Sequence, residues 1–492
     1  MHPDMRAWLE LNLGGRYGNF VDGHWQAPGP QLTAIFNPAL KDQELARFSA
    51  SSAADVDHAV RAAASAFGHW RRVPGPERGA ILFRAAALIE QRADEFAFTI
   101  SAEQGKVLAE SRGEVARAIR ELRFCAGEAS RMDGATLPSE KPGGLALTLR
   151  EPVGVVAAIA PWNFPLLTPL RKLAPALAYG CTLVLKPASL TPWSSAKLMD
   201  LLTEAGVPAG VINLITGSGD AGQALVAHPF VRAVSFTGST QVGAEVNVRA
   251  ASRFARTQLE MGGKNPAVVL GYAEVGPVAQ QIVAAAFACS GQRCTAVSRI
   301  IVLERLADEL GEALCREIAA IRVGPAWDTE ATMGPLITGQ HRASVLRRVA
   351  AALEAGARLR SGGDTLDRDE YGRGHFMQPT LLDRVAPGSP IAREEVFGPV
   401  LAMISVPSIE AAFEAANAVD YGLAACIYTA DLDQALRFVR ESQSGMVHVN
   451  HGTTSEAHVP FGGVKCSGAG PYSIGHSNLE FYTEMKAVYL QT

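Results

Sequence analysis

The sequence predicts an α/β protein built from two parallel-sheet lobes and a small accessory β-sheet. Three observations lead there. From Gly154 onward short apolar runs alternate with longer segments of helical period, the alternation restarts near Ala267, and 492 residues exceed what one compact core holds.

Before those lobes, apolar residues across positions 53–131 recur at helical spacing, as in Ile81, Phe83, Ala86, Leu88 and Ile89, flanked by arginines and glutamates. This is a block of amphipathic helices. A proline- and glycine-rich stretch at 134–144 leads into an alternating run at 145–150, which reads as a strand within a hairpin. The first lobe then follows as strand 155–159, helix 166–179, strand 182–185, helix 194–205, and strands 211–215 and 233–236. Such a series forms a parallel sheet covered by helices, with ligand sites at the carboxyl ends of its strands. The second series begins with strand 267–270 and the long apolar helix 275–288, and continues to about Asn450. Two such blocks imply a cleft between lobes. The closing segment, 479–490, is aromatic and strand-like, and an edge of that kind needs a partner.

With 48% hydrophobic and 19% charged residues the chain reads as an ordinary soluble protein, and a net charge of -4 without any run of Lys or Arg argues against a nucleic-acid partner. The 7 cysteines are scattered, with no C-x-x-C pair, which predicts neither a disulfide framework nor a metal site and fits a reducing cytoplasm. No secretory signal opens the sequence. The most apolar run, 153–170, is broken by Pro161, Asn163 and Pro165, so no membrane span is expected.

Two segments at the junction of the lobes carry the chemistry. Leu259-Glu260-Met261-Gly262-Gly263-Lys264-Asn265-Pro266 places a carboxylate beside paired glycines, and Ser290-Gly291-Gln292-Arg293-Cys294-Thr295-Ala296 places a cysteine behind a glycine turn. Together they supply a base and a nucleophile for covalent chemistry at a carbonyl. Cys294 in such a turn is expected to have its thiol pKa lowered by backbone N–H dipoles, whereas Cys289, on the apolar helix, reads as core. Glu260 in a partly desolvated cleft is expected to be raised toward neutrality, the plain alternative being a pair with Lys264.

Both segments, with Pro161-Trp162-Asn163-Phe164-Pro165, Lys186-Pro187-Ala188-Ser189, Phe236-Thr237-Gly238-Ser239-Thr240, Glu394-Glu395-Val396-Phe397-Gly398-Pro399 and Pro460-Phe461-Gly462-Gly463, resemble the signatures of the aldehyde dehydrogenase superfamily in order and spacing. The likeness runs from about Phe20 to the C-terminus. It implies that superfamily's fold: a Rossmann-like cofactor-binding domain (1–130 and 152–261), a Rossmann-like catalytic domain (262–464), and oligomerisation segments (131–151 and 465–492) whose strands pair and extend a sheet between subunits of a homodimer or homotetramer. The catalytic roles it implies are Cys294 as nucleophile, Glu260 as the base for water, Asn163 with the Cys294 N–H as oxyanion donors, and Lys172 as an aid to proton relay.

The same resemblance places an NAD or NADP cofactor among Ile159, Pro161, Trp162, Gly238, Ser239 and Gly262, with its pyrophosphate near Ser239. Glu395 and Gln340 would reach a ribose, Phe397 would support the nicotinamide, and Lys186 and Ser189 would lie at the adenosine ribose. Many NAD-preferring members carry glutamate where Ser189 stands, so NADP is expected to be accepted. For the substrate, Arg171 and Ser455 match the carboxylate-gripping residues of semialdehyde dehydrogenases, with Phe164, Arg293, Thr295 and Phe461 completing the pocket. Gly-Gln-Arg-Cys-Thr-Ala resembles the 2-oxoglutarate semialdehyde group, whereas the second arginine usual in succinate-semialdehyde members is absent at 288–290. Ser473 stands where many relatives carry glutamate, so no second acid–base residue is expected there. The expected activity is NAD(P)-dependent oxidation of a small carboxylated aldehyde; the alternatives are a neutral aliphatic or aromatic aldehyde, or a retired relative that binds nucleotide or serves structurally.

Overall fold

The computed structural model describes residues 3–491; residues 1–2 and 492, the outermost of the segments predicted above, lie outside the described residues. Its helices and strands are those of a mixed α/β protein with two large sheets. The predicted helical block resolves into Ala53–Trp70, Gly75–Gln91, Ala93–Gln104 and Leu108–Glu128. The first of these starts at a reciprocal cap, in which the Ser52 side chain accepts from the Asp55 N–H and the Asp55 carboxylate accepts from the Ser52 N–H.

The first large sheet has eight strands. Its middle runs parallel in the spatial order Arg256–Glu260, Val231–Thr237, Val155–Ile159, Thr182–Lys186, Ile212–Leu214. Antiparallel edges are added by Phe20–Val21 and His24–Trp25 on one side and Gly468–Ala469 on the other. Val155–Ile159 is buried nearly throughout, as an apolar run sandwiched between helices must be. The second sheet has seven strands and is parallel except for Arg358–Ser361 at one edge.

Gly144–Pro152 pairs antiparallel with Thr483–Gln491 along its whole length, and Thr136–Leu137 completes the hairpin. The closing segment differs from its expected form at one end. Residues Asn478–Tyr482 form a short helix whose Leu479, Phe481 and Tyr482 are buried in the core of the first lobe, and the strand begins only at Thr483. Three aromatic or leucine side chains needed on one interior surface suit a helical turn better than an alternating strand. The helix Pro3–Asn12 and the small sheet of Gly15–Tyr17, Leu32–Asn37 and Leu40–Ser49 have no counterpart in the sequence reading. No helix among the described residues is long and apolar enough to cross a membrane.

Candidate active site

The chain order of the first sheet creates the site. Strands Val155–Ile159, Thr182–Lys186 and Ile212–Leu214 step outward in one direction, and the next strand, Val231–Thr237, returns to the opposite side of Val155–Ile159. Connections leaving the carboxyl ends of those two neighbours diverge and open a crevice. The second sheet meets it with amino ends: Cys294, Glu395 and Phe397 lie just before strands Val297–Leu303 and Val400–Val406. A cavity of about 500 Å³ lies between them. The rule that ligands sit at carboxyl ends thus holds for one lobe only.

Cys294, Glu260, Asn163 and Lys172 all line this cavity, although they come from four separate segments. Cys294 is half-buried. Its carbonyl accepts from Asn265 Nδ2 at 2.7 Å, and the same amide reaches the Ala296 carbonyl at 2.9 Å, so the loop after the cysteine is pinned. The glycine turn ahead of it is needed for close approach: Gly291 has φ +67°, and a Cβ there would meet the Gly398 carbonyl oxygen at 2.2 Å. One expectation fails here. Burial, then the charges of Glu260 and Glu395, push the Cys294 thiol up to about 12, so desolvation outweighs any lowering by backbone dipoles. Cys289 is buried, as expected of a core residue.

Glu260 is buried at the end of strand Arg256–Glu260, and desolvation raises its carboxyl to about 7. Its two oxygens are unequal. Oε1 accepts from the Ser473 hydroxyl at 3.1 Å and from the Ser473 N–H at 3.4 Å, whereas Oε2 is buried without a hydrogen-bond partner among the described residues. Ser473 therefore orients the carboxylate and leaves one oxygen for a proton. Lys172, on helix Leu167–Tyr179, is buried rather than solvated; its Nζ donates to Ser235 Oγ at 3.0 Å and Thr237 Oγ1 at 2.9 Å, and desolvation lowers it to about 7.

Asn163 is held from behind by a buried ion pair. Lys106 Nζ donates to Glu114 Oε2 and to the Asn163 carbonyl, each at 2.7 Å, while Glu114 Oε1 accepts the N–H groups of Leu166 and Leu167 at 3.0 Å. A carboxylate at the start of helix Leu167–Tyr179 satisfies donors that the helix cannot. Asn163 Nδ2 spends one hydrogen on the Gln292 carbonyl at 2.9 Å, and the amide carries a second.

The predicted substrate residues converge. Arg171 and Ser455, 284 positions apart, meet at 3.1 Å, and the Arg171 guanidinium lies 5.2 Å from the Phe461 ring centre. Arg171 Nε is also bound to buried Glu121 at 3.0 Å. Arg293 lines the cavity with Nη2 on the Ala285 carbonyl at 2.7 Å and a buried Nε that has no partner among the described residues. Phe164 and Thr295 also line it. Arg117, absent from the sequence reading, joins them on helix Leu108–Glu128, and the helical period alone gave no sign of which of that helix's charges faces inward.

Of the predicted cofactor residues, Ile159, Pro161, Trp162, Gly238, Ser239, Gly262, Glu395 and Phe397 line the cavity. Gln340 does not: it is exposed on helix Gly339–Glu354, and its neighbour His341 takes the inward place, its ring 6.0 Å from Trp162 and its Nε2 2.8 Å from the Phe397 carbonyl. One helical position turns a side chain by about 100°, which a motif match does not resolve. Lys186 and exposed Ser189 lie outside the cavity lining, Lys186 at the end of the neighbouring strand Thr182–Lys186 and Ser189 in the segment that follows it.

The donors present fit a dinucleotide. Helix Thr240–Ala251 begins beside the cavity with Ser239 as its cap, and its first-turn N–H groups favour an anion. Gly238 has room for no side chain, since a Cβ would come within 2.6 Å of the Phe236 ring. Lys186 Nζ is buried and among the described residues has only the Pro187 carbonyl, at 3.3 Å, and desolvation lowers it to about 8. Glu395 Oε1 accepts the Gly263 N–H at 3.0 Å, and a Cβ at Gly262 would overlap the same carboxylate at 2.2 Å.

The sequence profile of the aldehyde dehydrogenase family matches residues 25–488. The alpha-ketoglutaric semialdehyde dehydrogenase of Bacillus subtilis (strain 168) is 40% identical over 478 residues, 96% of this chain and 98% of its own. The alpha-ketoglutarate semialdehyde dehydrogenase of Haloferax volcanii is 41% identical over 475 residues, again 96% of this chain and 98% of its own. A crystal structure of betaine aldehyde dehydrogenase from Staphylococcus aureus in complex with NAD+ superposes with a TM-score of 0.96 at 32% identity, covering 99% of this chain and 97% of that one. These matches run through every segment that lines the cavity, and the chain accordingly belongs to the aldehyde dehydrogenase family, as an NAD(P)-dependent oxidoreductase.

Proposed function

We propose that the chain oxidises a small carboxylated aldehyde to its acid, using Cys294 as nucleophile and accepting NADP as well as NAD. The observation that carries the substrate reading is the meeting of Arg171 and Ser455 beside Phe461, at a cavity also faced by Arg117 and Arg293. Several guanidinium groups facing one small cavity suit a substrate carboxylate, which Arg binds in a fork with two charge-assisted bonds. The names of the relatives from Bacillus subtilis and Haloferax volcanii, both semialdehyde dehydrogenases, support the same class.

A thiol at about 12 does not ionise alone near neutrality, so its proton passes to Glu260, at about 7, as the Cys294 sulfur bonds to the aldehyde carbon. The second N–H of Asn163 and the N–H of Cys294 stabilise the resulting oxyanion. When bound, the nicotinamide supplies the hydride acceptor that allows this adduct to become a thioester. Glu260 gives its proton to solvent, then takes another at Oε2 from the water that attacks the thioester carbon. The acid departs and Cys294 regains its proton. Ser473 keeps Oε1 occupied, so Oε2 stays aimed for this step. Lys172, held by Ser235 and Thr237 in the same cavity and coupled to Glu260 by charge, would assist the passage of that proton to solvent.

The cofactor would be held by the amino end of helix Thr240–Ala251, by Glu395 and by Lys186. No acidic side chain stands at 186–189, which supports tolerance of a 2′-phosphate. In this reading 1–130 and 152–261 bind cofactor, 262–464 carry the nucleophile, and 131–151 with 465–492 mediate a homo-oligomer. The exposed Leu145, Leu149, Met485, Tyr489 and Leu490 on the paired strands Gly144–Pro152 and Thr483–Gln491 support that last role, and the place of action would be the cytoplasm. The test is a steady-state panel of 2-oxoglutarate semialdehyde, succinate semialdehyde and pentanal with each cofactor. The carboxylated aldehydes are expected to have the higher kcat/KM, and a preference for pentanal overturns the substrate class.

A further inference from the structure

Two neighbouring strands end in the same pattern. Ser235-Phe236-Thr237 closes strand Val231–Thr237 and Gln258-Leu259-Glu260 closes strand Arg256–Glu260, each reading polar, apolar, polar. The strands run parallel, with Ser235 opposite Gln258 and Thr237 opposite Glu260. Successive side chains on a strand point to opposite faces, so the four polar residues share one face. All four line the cavity, and Lys172 lies across Ser235 and Thr237. Gln258, 1% exposed, has no part in the reaction described so far.

Its hydrogen bonds have only one possible direction. Nε2 lies 3.3 Å from the Tyr472 carbonyl, which can only accept, so the amide nitrogen sits on that side and the amide oxygen faces Ser235. The second Nε2 hydrogen goes to Asn478 Oδ1, also at 3.3 Å. Oε1 in turn can only accept, and Ser235 spends its one hydroxyl hydrogen on it at 3.0 Å. The Tyr482 hydroxyl, itself donating to the Lys172 carbonyl at 3.2 Å, offers Ser235 only an oxygen, so it does not reverse that direction. Ser235 therefore meets Lys172 with a lone pair, and the lysine must donate. With a second hydrogen given to Thr237, the Lys172 nitrogen keeps one position uncommitted among the described residues, in the cavity that Glu260 also lines. That position holds a proton in the ammonium and a lone pair in the amine. Desolvation brings Lys172 to about 7, with the charge of Glu260 opposing and that of Arg171 assisting, so both forms are present near neutrality. If Oε1 of Gln258 were removed, the Ser235 hydroxyl could turn its hydrogen onto the amine and occupy the lone pair that would receive a proton.

We infer that Gln258 is a positioning residue: through Ser235 it holds Lys172 as a donor and leaves the third position of its nitrogen free to take a proton from the Glu260 carboxyl and release it to water. The inference rests on the part proposed for Lys172. It also gives helix Asn478–Tyr482 a task beyond packing, because Asn478 and Tyr482 hold the ends of this chain of hydrogen bonds.

The experiment compares Gln258→Met, Ser235→Ala and the double variant with wild type, using 2-oxoglutarate semialdehyde and NADP; Gln258→Val takes the place of Gln258→Met if that variant does not fold. Thermal midpoints and quenching of protein fluorescence by cofactor identify the folded variants. Removing Gln258 is expected to lower kcat about 10-fold, part of what a positioned acid–base group contributes, with both KM values held within about twofold. The solvent deuterium isotope effect on kcat is expected to rise, because proton passage becomes limiting. Ser235→Ala is expected to lower kcat at least as far, and the double variant no further than Ser235→Ala, since both changes cut the same chain. Losses that multiply in the double variant to about 100-fold or more, or a folded Gln258 variant with the wild-type kcat and isotope effect, overturn the inference. Lys172→Met with the wild-type kcat overturns the part proposed for Lys172 itself, a separate result.

Discussion

Glu260→Gln should stabilise the cofactor-free protein, and do so only at alkaline pH. The Glu260 carboxyl titrates at about 7 in the folded chain against an ordinary 4.5. A raised folded pKa means that folding is unpenalised below 4.5, loses stability as pH climbs through the interval, and carries the full penalty above 7. The difference, 2.5 units at about 1.36 kcal/mol each, amounts to about 3 kcal/mol. Lys172 does not cancel it, because its own pKa falls to about 7 and it is neutral at pH 8.5. Glutamine keeps an oxygen for the Ser473 hydroxyl and N–H, so the orienting contacts survive. At pH 5 the side chain is uncharged in both proteins and Lys172 meets a neutral neighbour either way. Differential scanning calorimetry at pH 5 and pH 8.5 reads the effect. For a chain of this size about 3 kcal/mol corresponds to a rise of roughly 3–6 °C at pH 8.5, with little change at pH 5. Equal shifts at the two pH values, or a loss at pH 8.5, would refute the claim that the carboxylate is buried at an energetic cost.

Other outcomes follow from the same contacts. Ser473→Ala removes the hydroxyl hydrogen bond that favours ionised Glu260 and keeps the backbone N–H contact, so the limb of the kcat–pH profile expected near pH 7 should move alkaline, by about one unit for about 1 kcal/mol; an unmoved limb would mean that another group controls it. Asn163→Ala should cost about 100- to 1000-fold in kcat, measured by steady-state kinetics, with cofactor binding by fluorescence retained. Gly262→Ala places a Cβ 2.2 Å from Glu395 Oε2 and should displace that carboxylate, raising KM for the cofactor more than KM for the aldehyde.

Much of the architecture could be read from periodicity because the strands of the first sheet are buried on both faces and so appear as unbroken apolar runs, Val155–Ile159 most clearly. The small sheet of Gly15–Tyr17, Leu32–Asn37 and Leu40–Ser49 escaped because Gly15–Tyr17 is only three residues long and Leu40–Ser49 mixes charged residues with its apolar positions, which leaves the short apolar run of Leu32–Asn37 without a visible partner. At the site, Cys294, Glu260 and Asn163 stood out through their local words, and the fold brings them to one cavity. Arg117 and His341 did not, since each faces the cavity through tertiary packing: Arg117 through the inward face of a long helix and His341 through a one-residue helical register; Ser473 was noted only for the acid–base residue it replaces, and its grip on Glu260 depends on two backbone hydrogen bonds that clasp it to Phe461. The pKa of Cys294 was misread because a turn's dipoles are visible in a sequence and its desolvation is not.

The account's central claim is that Cys294 carries the acyl group and Glu260 releases it. Mass spectrometry of Glu260→Gln, quenched after mixing with NADP and a carboxylated aldehyde, tests it directly. The predicted result is NADPH formed more slowly than by wild type, because the Cys294 thiol has lost its proton acceptor, but reaching one equivalent per subunit, with an acyl adduct on the Cys294 peptide and little further turnover. Sustained turnover by this variant, or the adduct on another residue, would contradict it.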